Sequence, residues 1–277
     1  MLRRYILFLK RSPIITAVLA IIYIMVCLKT VETSTHFQTF IVRTMLCGAV
    51  CFFLYQISGD KTLAASYNST GYVVKTSSAF LVLAAVFGIF SLVMSLGTGL
   101  PMRENIPKEI LILFLMFISV GLFEELAFRA VINDAIIYKF RNWKYVFVLS
   151  AVVSSIVFGA AHVLGFDVTS RLAWMQAVGK TLSAGVFGLA LLIMYWKTRN
   201  IWACGVVHGL YDFLAAINMG VFKMPEEAHR SYIAEDAAAV PVIVLYSVLT
   251  IVEIVILLVI WKKVGKRIDF DEIRRTW

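Results

Sequence analysis

The chain has 277 residues, of which 61% are hydrophobic and only 16% are charged, and its mean hydropathy is +0.86. Soluble domains carry roughly 45–50% apolar and about 25% charged residues, so this composition excludes an ordinary soluble globular protein. The net charge of +9 does not indicate nucleic-acid binding, because most of the basic residues fall in the short segments between apolar runs.

Apolar runs of about 20 residues, the length of a membrane-spanning helix, recur along the whole chain. We predict eight spans, near residues 13–29, 40–57, 77–97, 109–131, 143–163, 177–197, 200–218 and 239–261. Alternating strand patterns are absent, and only helices that satisfy their own backbone can occupy so much hydrocarbon. The predicted fold class is therefore all-α: a polytopic transmembrane helix bundle with kinked helices around an intramembrane cavity.

The Lys and Arg residues are divided unequally between the two ends of this predicted bundle. Seventeen of the 26 fall on the side of the N-terminus, and six fall on the opposite side. Because positively charged loops favour the cytoplasmic face, both termini are predicted to be cytoplasmic in a multi-pass protein of the cell membrane. We expect the basic ends to contact anionic lipid of the bilayer.

The chain is predicted to be a single domain with short terminal segments. The apolar run after Pro13 is long for a signal peptide, and no small-x-small cleavage site follows it, so we expect the first span to be retained. The long outer loop from Phe222 to Ala239 is interpreted as a solvated connector or a gate. The predicted parts are, in order, a basic interfacial segment (1–12), a transmembrane domain (13–262, with its motif core at 121–213) and a basic cytoplasmic tail (263–277).

Two adjacent carboxylates and an arginine stand within one otherwise apolar run, GLFEELAFRAV at residues 121–131. Glu125 and Arg129 have the i,i+4 spacing and the order of a helical ion pair. Adjacent helix residues point about 100° apart, so we expect Glu124 and Glu125 not to share a partner. Glu124 must then be protonated, hydrated in a cavity or matched by a group on another helix.

Two histidines in other predicted spans are candidates for that group. Phe158 and His162 belong to FGAAH on the fifth span, while His208 and Asp212 belong to HGLYD on the seventh and project from one helix face. Each ionisable group costs roughly 2.5–3.5 kcal/mol at mid-membrane, so several would rarely accumulate without a shared site. On the predicted span edges, however, a linear count places Glu124 and His162 more than about 10 Å apart in depth.

The remaining polar or small residues of the spans have structural interpretations. Gly205 and Gly209 form a small-xxx-small pair, which lets another helix backbone approach closely. Arg43 and Lys180 lie near predicted span ends, and we expect their side chains to snorkel toward the membrane surface. Glu253 has no evident partner in its own helix and is interpreted as structural, protonated or part of a cavity wall.

The acids and histidines suit two kinds of hydrolytic chemistry. A carboxylate and an imidazole that face one another can hold a water and remove its proton, while a second histidine stabilises an oxyanion; this describes a peptide hydrolase without a serine or cysteine nucleophile. Alternatively, a divalent metal such as zinc could activate the water. The zinc-protease motif HExxH is absent. The possible ligands of such a metal are Glu124, His162, His208 and Asp212.

Three short motifs carry a resemblance to a known family. EELAFR matches EExxxR, FGAAH matches FxxxH and HGLYD matches HxxxN/D, in that order and on separate predicted helices. The chain thus resembles the CPBP family of CAAX-protease-like and bacteriocin-processing intramembrane proteases, also called the Abi or type II CAAX prenyl endopeptidase family. The resemblance is concentrated in residues 121–213.

The resemblance implies an intramembrane endopeptidase that acts on a membrane-associated protein or peptide. Glu124 with His162 would activate the attacking water. His208 with Asp212 would form the oxyanion site, although family members that process prenylated proteins have Asn where this chain has Asp212, and a carboxylate donates a hydrogen bond only when protonated. The residues in supporting roles would be Glu125, Arg129 and Phe158.

Two other functions compete with proteolysis. A catalytically silent membrane scaffold or regulator can keep a family fold without its activity. A proton-coupled transporter also uses intramembrane acids and histidines, but it often shows inverted repeats, and none is seen in this sequence.

Overall fold

The computed structural model describes residues 2–64, 69–224, 233, 234 and 236–276. Half of the predicted outer loop from Phe222 to Ala239, residues 225–232 and 235, falls outside these residues. The helices are α1 (Leu2–Arg11), α2 (Pro13–Thr30), α3 (His36–Ser58), α4 (Thr70–Thr76), α5 (Ser78–Gly97), α6 (Ile106–Glu124), a π-helix (Glu125–Val131), α7 (Ile132–Phe140), α8 (Val146–Ala161), α9 (Arg171–Thr198), α10 (Ile201–Ala215), α11 (Asn218–Val221), α12 (Asp236–Lys263), a 3-10 turn (Gly265–Arg267) and α13 (Phe270–Thr276).

Each predicted span coincides with an apolar helix, which confirms the predicted all-α membrane bundle. In the described part of the chain, six helical segments are long and apolar enough to cross a membrane, while α8 and α10 are apolar but shorter. With 16 and 15 residues, these two helices are about 24 and 22 Å long, which is less than the ~30 Å hydrocarbon core. The two short helices carry the histidine motifs.

The outer surface of the bundle is apolar. Val82, Phe90 and Ile251 are each 62% exposed, as expected for side chains that face lipid rather than a protein core. The buried core lies instead between the π-helix, α7 and α8–α10, where most side chains are inaccessible. The chain is therefore a multi-pass membrane protein whose interior is built around the segment that carries the acid pair.

Capping residues and one left-handed residue set both ends of α9 and the start of α10. Ser170 and Asn200 cap the starts of these helices. Each side-chain oxygen accepts a hydrogen bond from a backbone N–H of the first turn, a donor that has no partner within the helix. Arg199 adopts a left-handed conformation with φ of 54°, which ends α9. Only two residues, Arg199 and Asn200, therefore separate α9 from α10.

The helix that carries the acid pair is longer than predicted. α6, the π-helix and α7 run without interruption from Ile106 to Phe140, whereas the predicted span ended near residue 131. Glu124 lies 16 residues from Phe140, and His162 lies 16 residues from Val146 at the start of α8. Both residues are therefore about 24 Å from the same end of the bundle, and the expected mismatch in depth was wrong because the predicted span edge was too early.

α6 and α10 cross at backbone contact. A Cβ atom on Gly121 would overlap the backbone of Gly205 and Gly209, and one on Gly209 would overlap the backbone of Phe117. This confirms the close approach predicted from the small-xxx-small pair. Since His208 immediately precedes Gly209, the crossing brings its imidazole against the helix that carries the two acids.

A buried polar network ties the helices together at the end of the bundle that holds both termini. Asp134 on α7 accepts hydrogen bonds from Thr62 Oγ1 at 2.5 Å and from Tyr195 Oη at 3.0 Å. Its neighbour Asn133 accepts from Trp196 Nε1 at 2.7 Å, and from a serine hydroxyl of α8. These bonds connect α7, α8, α9 and the segment after α3, so this end of the bundle is closely packed.

Candidate active site

The EELAFR motif begins at the junction between α6 and the π-helix. In the π-helix each N–H reaches the carbonyl five residues earlier, and all seven residues from Glu125 to Val131 are buried. π-helices account for well under 1% of residues and occur frequently at functional sites. Glu124 is the last residue of α6, so the helical register changes between the two acids.

Glu125 is the centre of a buried charge cluster. Its Oε1 atom lies 3.3 Å from Arg129 Nη1, which confirms the predicted i,i+4 ion pair, and 2.8 Å from His208 Nδ1. The Arg129 guanidinium carbon stands 3.4 Å from the centroid of the Phe158 ring. A Cβ on Gly188 would overlap that guanidinium, so the absence of a side chain at this position makes room for the arginine.

His208 contacts both acids, which corrects the expectation that Glu124 and Glu125 cannot share a partner. Its Nδ1 faces Glu125, while its Nε2 lies 3.7 Å from Glu124 Oε2 and 3.5 Å from Asp212 Oδ2. The angular argument assumed that both carboxylates would have to reach the same atom of a partner. An imidazole has two nitrogens on different edges, and the close helix crossing places the ring where each edge meets one acid.

The end of α8 brings Phe158 and His162 to the site. His162 Nδ1 lies 2.9 Å from the carbonyl oxygen of Phe158. A carbonyl can only accept, so we assign the proton of the neutral ring to Nδ1, which leaves Nε2 as an acceptor. The Phe158 ring packs edge-on against His162, with centroids 4.6 Å apart, and against His208, with centroids 5.7 Å apart. Phe158 therefore contacts both histidines and Arg129.

These side chains surround a cavity of about 1010 Å³. His208 lies behind the wall with 3% of its side chain exposed, whereas 18% of Glu124 and 27% of Asp212 are accessible. The structure thus brings together the four predicted catalytic residues and their three supporting residues. The polar site residues that line the cavity are Glu124, His162, Lys180, Tyr211 and Asp212.

Lys180 belongs to this cavity, so the expectation that it snorkels was wrong. α9 starts at Arg171 and not near residue 177, and Lys180 is therefore about 14 Å along the helix. The charges of Asp212, Glu253 and Glu124 act on its ammonium group. Arg43 also turns inward, with its guanidinium carbon 5.2 Å from the ring centroid of the buried Phe123.

Glu253 has a partner on another helix. It is 1% exposed, and its Oε1 accepts a hydrogen bond of 3.2 Å from Tyr211 Oη. Tyr211 stacks on Phe187 with ring centroids 4.4 Å apart, and Phe187 packs edge-on against His208. Sequence reasoning missed Tyr211 and Lys180; a lysine inside an apolar run was the available signal, and nothing distinguished the tyrosine.

The possible zinc ligands do not form a metal site in this geometry. Within the described ranges, no group of three or more His, Cys, Asp or Glu side chains is arranged to hold a metal ion. His208 and His162 direct their Nδ1 atoms to Glu125 and to a backbone carbonyl. Metal-ligating histidines also direct one ring nitrogen to a carboxylate or a carbonyl, so it is only the spacing of Glu124, His162, His208 and Asp212 that does not suit a shared metal.

The comparison with protein families agrees with the geometry. The model of the family "Type II CAAX prenyl endopeptidase Rce1-like" matches residues 106–214, which run from the start of α6 almost to the end of α10. This match supports the resemblance to the CAAX-protease family over these residues. No curated protein matches the chain, and no solved structure does.

The Rce1-like segment contains all three motifs as well as Lys180 and Tyr211. The match supports a protease, and more generally an intramembrane endopeptidase. Outside the matched residues, α12 contributes Glu253, which is bonded to Tyr211, and the connection between α2 and α3 contributes part of the cavity wall. The site therefore combines an Rce1-like centre with surroundings that the family match does not cover.

Proposed function

We propose that this protein hydrolyses a peptide bond of a membrane-associated protein or peptide, with a water activated by Glu124 and His162. The observation that carries the proposal is the convergence of three helices. Glu124, His162 and Asp212 line one cavity, and His208 Nε2 lies within 3.7 Å of both carboxylates. Such a set places an acid, a base and a hydrogen-bond donor around one volume large enough for a peptide segment.

The attacking water is assigned to the space beside Glu124. Its Oε2 has no hydrogen-bond partner among the described residues, and 3.7 Å to His208 Nε2 is too long for a direct hydrogen bond. A water there would donate to the carboxylate, and its second proton would face an acceptor such as His162 Nε2. General base catalysis requires this kind of contact between a water and its bases.

We assign His208 to the stabilisation of the oxyanion. Its Nδ1 donates to Glu125, and its Nε2 faces two further carboxylates, so the hydrogen-bonding pattern favours the imidazolium form with a proton on both nitrogens. The Nε2–H then points into the space between Glu124 and Asp212. A fixed donor at this position stabilises the negative oxygen that develops on the attacked carbonyl.

The proposed reaction is an ordinary hydrolysis. The water oxygen forms a bond to the carbonyl carbon, and its proton passes to the Glu124–His162 pair. The tetrahedral intermediate then breaks its C–N bond, and the same pair returns the proton to the leaving amine nitrogen. Glu125 and Arg129 hold His208 in position and do not contact the reacting atoms.

Lys180 offsets the negative charge of Asp212 in this oxyanion site. Asp212 is a carboxylate where an amide donor would be more favourable, and its negative charge would repel an oxyanion. Lys180 lines the same cavity, and its ammonium interacts electrostatically with Asp212. We assign Lys180 to balancing that charge, so that His208 can hold the oxyanion beside an ionised Asp212.

The test is cleavage of a mixture of prenylated and unprenylated quenched fluorescent peptides by the purified protein in detergent. The wild type is compared with Glu124→Gln, and with Glu272→Gln as a matched control, because Glu272 is exposed and lies outside the cavity. We expect cleavage by the wild type and the control and at least about a 1000-fold loss in Glu124→Gln. Full activity of Glu124→Gln would refute the mechanism, and no cleavage of any peptide by the wild type would favour a silent scaffold.

A further inference from the structure

The cavity has its mouth at one end of the bundle. Beyond the site residues, it is lined by the connection between α2 and α3, residues 31–35, by Arg103 and by Met219. Arg103 is held at this rim by Glu109, at 3.0 Å, and by the carbonyl of Met219, at 2.9 Å. All of these residues lie at the helix ends opposite to the two termini.

The lengths of the helices explain why the mouth is there. α8 and α10 start at the end of the bundle that holds the termini, and they stop after 16 and 15 residues. Each is shorter than the hydrocarbon core by roughly 6–8 Å. His162 follows the last residue of α8, so the site lies where the short helices end and the cavity takes their place.

The other end of the bundle is packed. The π-helix and the part of α7 up to Ile137 are buried throughout, and within this part of α7 Asp134 is bonded to Thr62 and Tyr195. A second cavity of about 500 Å³ opens on that end near Arg11 and Tyr138. None of the site residues lines it, so it gives no route to Glu124.

The charges of the loops assign these two ends to sides of the membrane. Seventeen of the 26 Lys and Arg residues belong to the packed end, whereas among the described residues only Lys29, Arg103, Lys108, Arg171 and Lys223 lie at the end with the mouth. Basic loops stay on the cytoplasmic side during insertion. The packed end is therefore cytoplasmic, and the mouth opens on the opposite face.

From this arrangement we infer that the substrate is a peptide segment presented on the non-cytoplasmic face: an exported peptide, or the outer part of a membrane-anchored protein. The inference rests on the proposed function for its substrate, but the position of the mouth does not depend on catalysis. A prenylated tail confined to the cytoplasmic leaflet would lie at the packed end, on the opposite side of the membrane from this mouth.

Cysteine accessibility in intact cells tests the side of the mouth without any substrate. The four native cysteines, Cys27, Cys47, Cys51 and Cys204, are replaced by alanine or serine. Single cysteines are then introduced as Ser34→Cys at the mouth and as Asn142→Cys in the exposed connection between α7 and α8. A membrane-impermeant maleimide is applied before and after the membrane is permeabilised.

We expect the cysteine at position 34 to react in intact cells at least fivefold more than the cysteine at position 142, which should react only after permeabilisation. The reverse order, or equal labelling of both positions before permeabilisation, would overturn the inference. Folding of each variant is checked by its thermal unfolding temperature in detergent, and Thr33→Cys serves as a second mouth position should Ser34→Cys not fold.

A second experiment tests whether a peptide added outside the cell reaches the catalytic site. The peptide that the purified protein cleaves fastest is added to the outside of intact cells that contain either wild type or Glu124→Gln. Cleavage by wild type alone supports access from outside, whereas cleavage only after permeabilisation overturns it. If purified Glu124→Gln retains activity, the proposed mechanism fails, while the labelling result still decides the side of the mouth.

Discussion

Glu125 Oε1 and His208 Nδ1 lie 2.8 Å apart, with 0% and 3% of their side chains exposed. The same oxygen also meets Arg129 Nη1 at 3.3 Å. A single buried carboxylate thus joins the helix with the acid pair to α10 and fixes which nitrogen of the histidine faces the cavity. A carboxylate that binds one nitrogen of an imidazole is a recurrent way to hold a histidine in one orientation.

Replacement of this carboxylate should affect both folding and rate. Glu125→Gln leaves Arg129 buried without its counter-charge, and loss of one partner of a buried ion pair typically costs about 3–5 kcal/mol. We expect a lower thermal unfolding temperature in detergent and a fall in kcat of at least about tenfold, because His208 loses its fixed orientation. An unchanged unfolding temperature together with full peptide cleavage would contradict the role assigned to Glu125, and Glu272→Gln is the matched control.

The assignment of Lys180 is tested by a double-mutant cycle with Asp212. Lys180→Met keeps most of the side-chain length but removes the charge, and we expect kcat to fall about 100-fold, the usual effect of losing oxyanion stabilisation, with little change in KM. If the lysine offsets the charge of Asp212, Asp212→Asn should restore at least about tenfold of the lost rate in the double variant. A purely structural lysine would lower the unfolding temperature and would not be rescued in this way.

Removal of metal ions should leave cleavage intact. The described residues offer no arrangement of His, Cys, Asp and Glu side chains that would hold a metal, and the proposed bases activate the water themselves. We expect peptide cleavage by the purified protein to change less than twofold after dialysis against a strong chelator. Loss of activity in the chelator, followed by recovery on addition of zinc, would show that the site rearranges to bind a metal.

The crossing of α6 and α10 should be intolerant of a single added carbon. Gly209→Ala places a Cβ against the backbone of Phe117 and Ile118, and backbone cannot yield as the end of a side chain can. We expect lower yield of folded protein and a lower unfolding temperature, with an overpacking cost of about 1–3 kcal/mol. Gly48→Ala on α3 is the control, because a Cβ there meets nothing within 4 Å and should be neutral or slightly stabilising. Equal stability of the two variants would contradict the close crossing.

The sequence by itself determined the features that depend on local pattern. Hydrophobic runs predicted the helices, since a helix in lipid must be apolar over about 20 residues, and the i,i+4 spacing predicted the pair of Glu125 and Arg129. The order of three short motifs was enough to indicate the family and the residues of the candidate site. The glycines around His208 predicted a close helix contact, although they did not say with which helix.

Only the tertiary structure decided how these pieces meet. That His208 stands between Glu124 and Glu125 follows from the angle and depth at which α10 crosses α6, and Lys180 joins the site only because α9 begins six residues earlier than the apolar run suggests. Helix ends are set by caps and by partners on other helices, as at Ser170 and Asn200, and a composition profile does not record them. Periodicity describes one helix at a time, whereas a site built from several helices depends on which faces pack together.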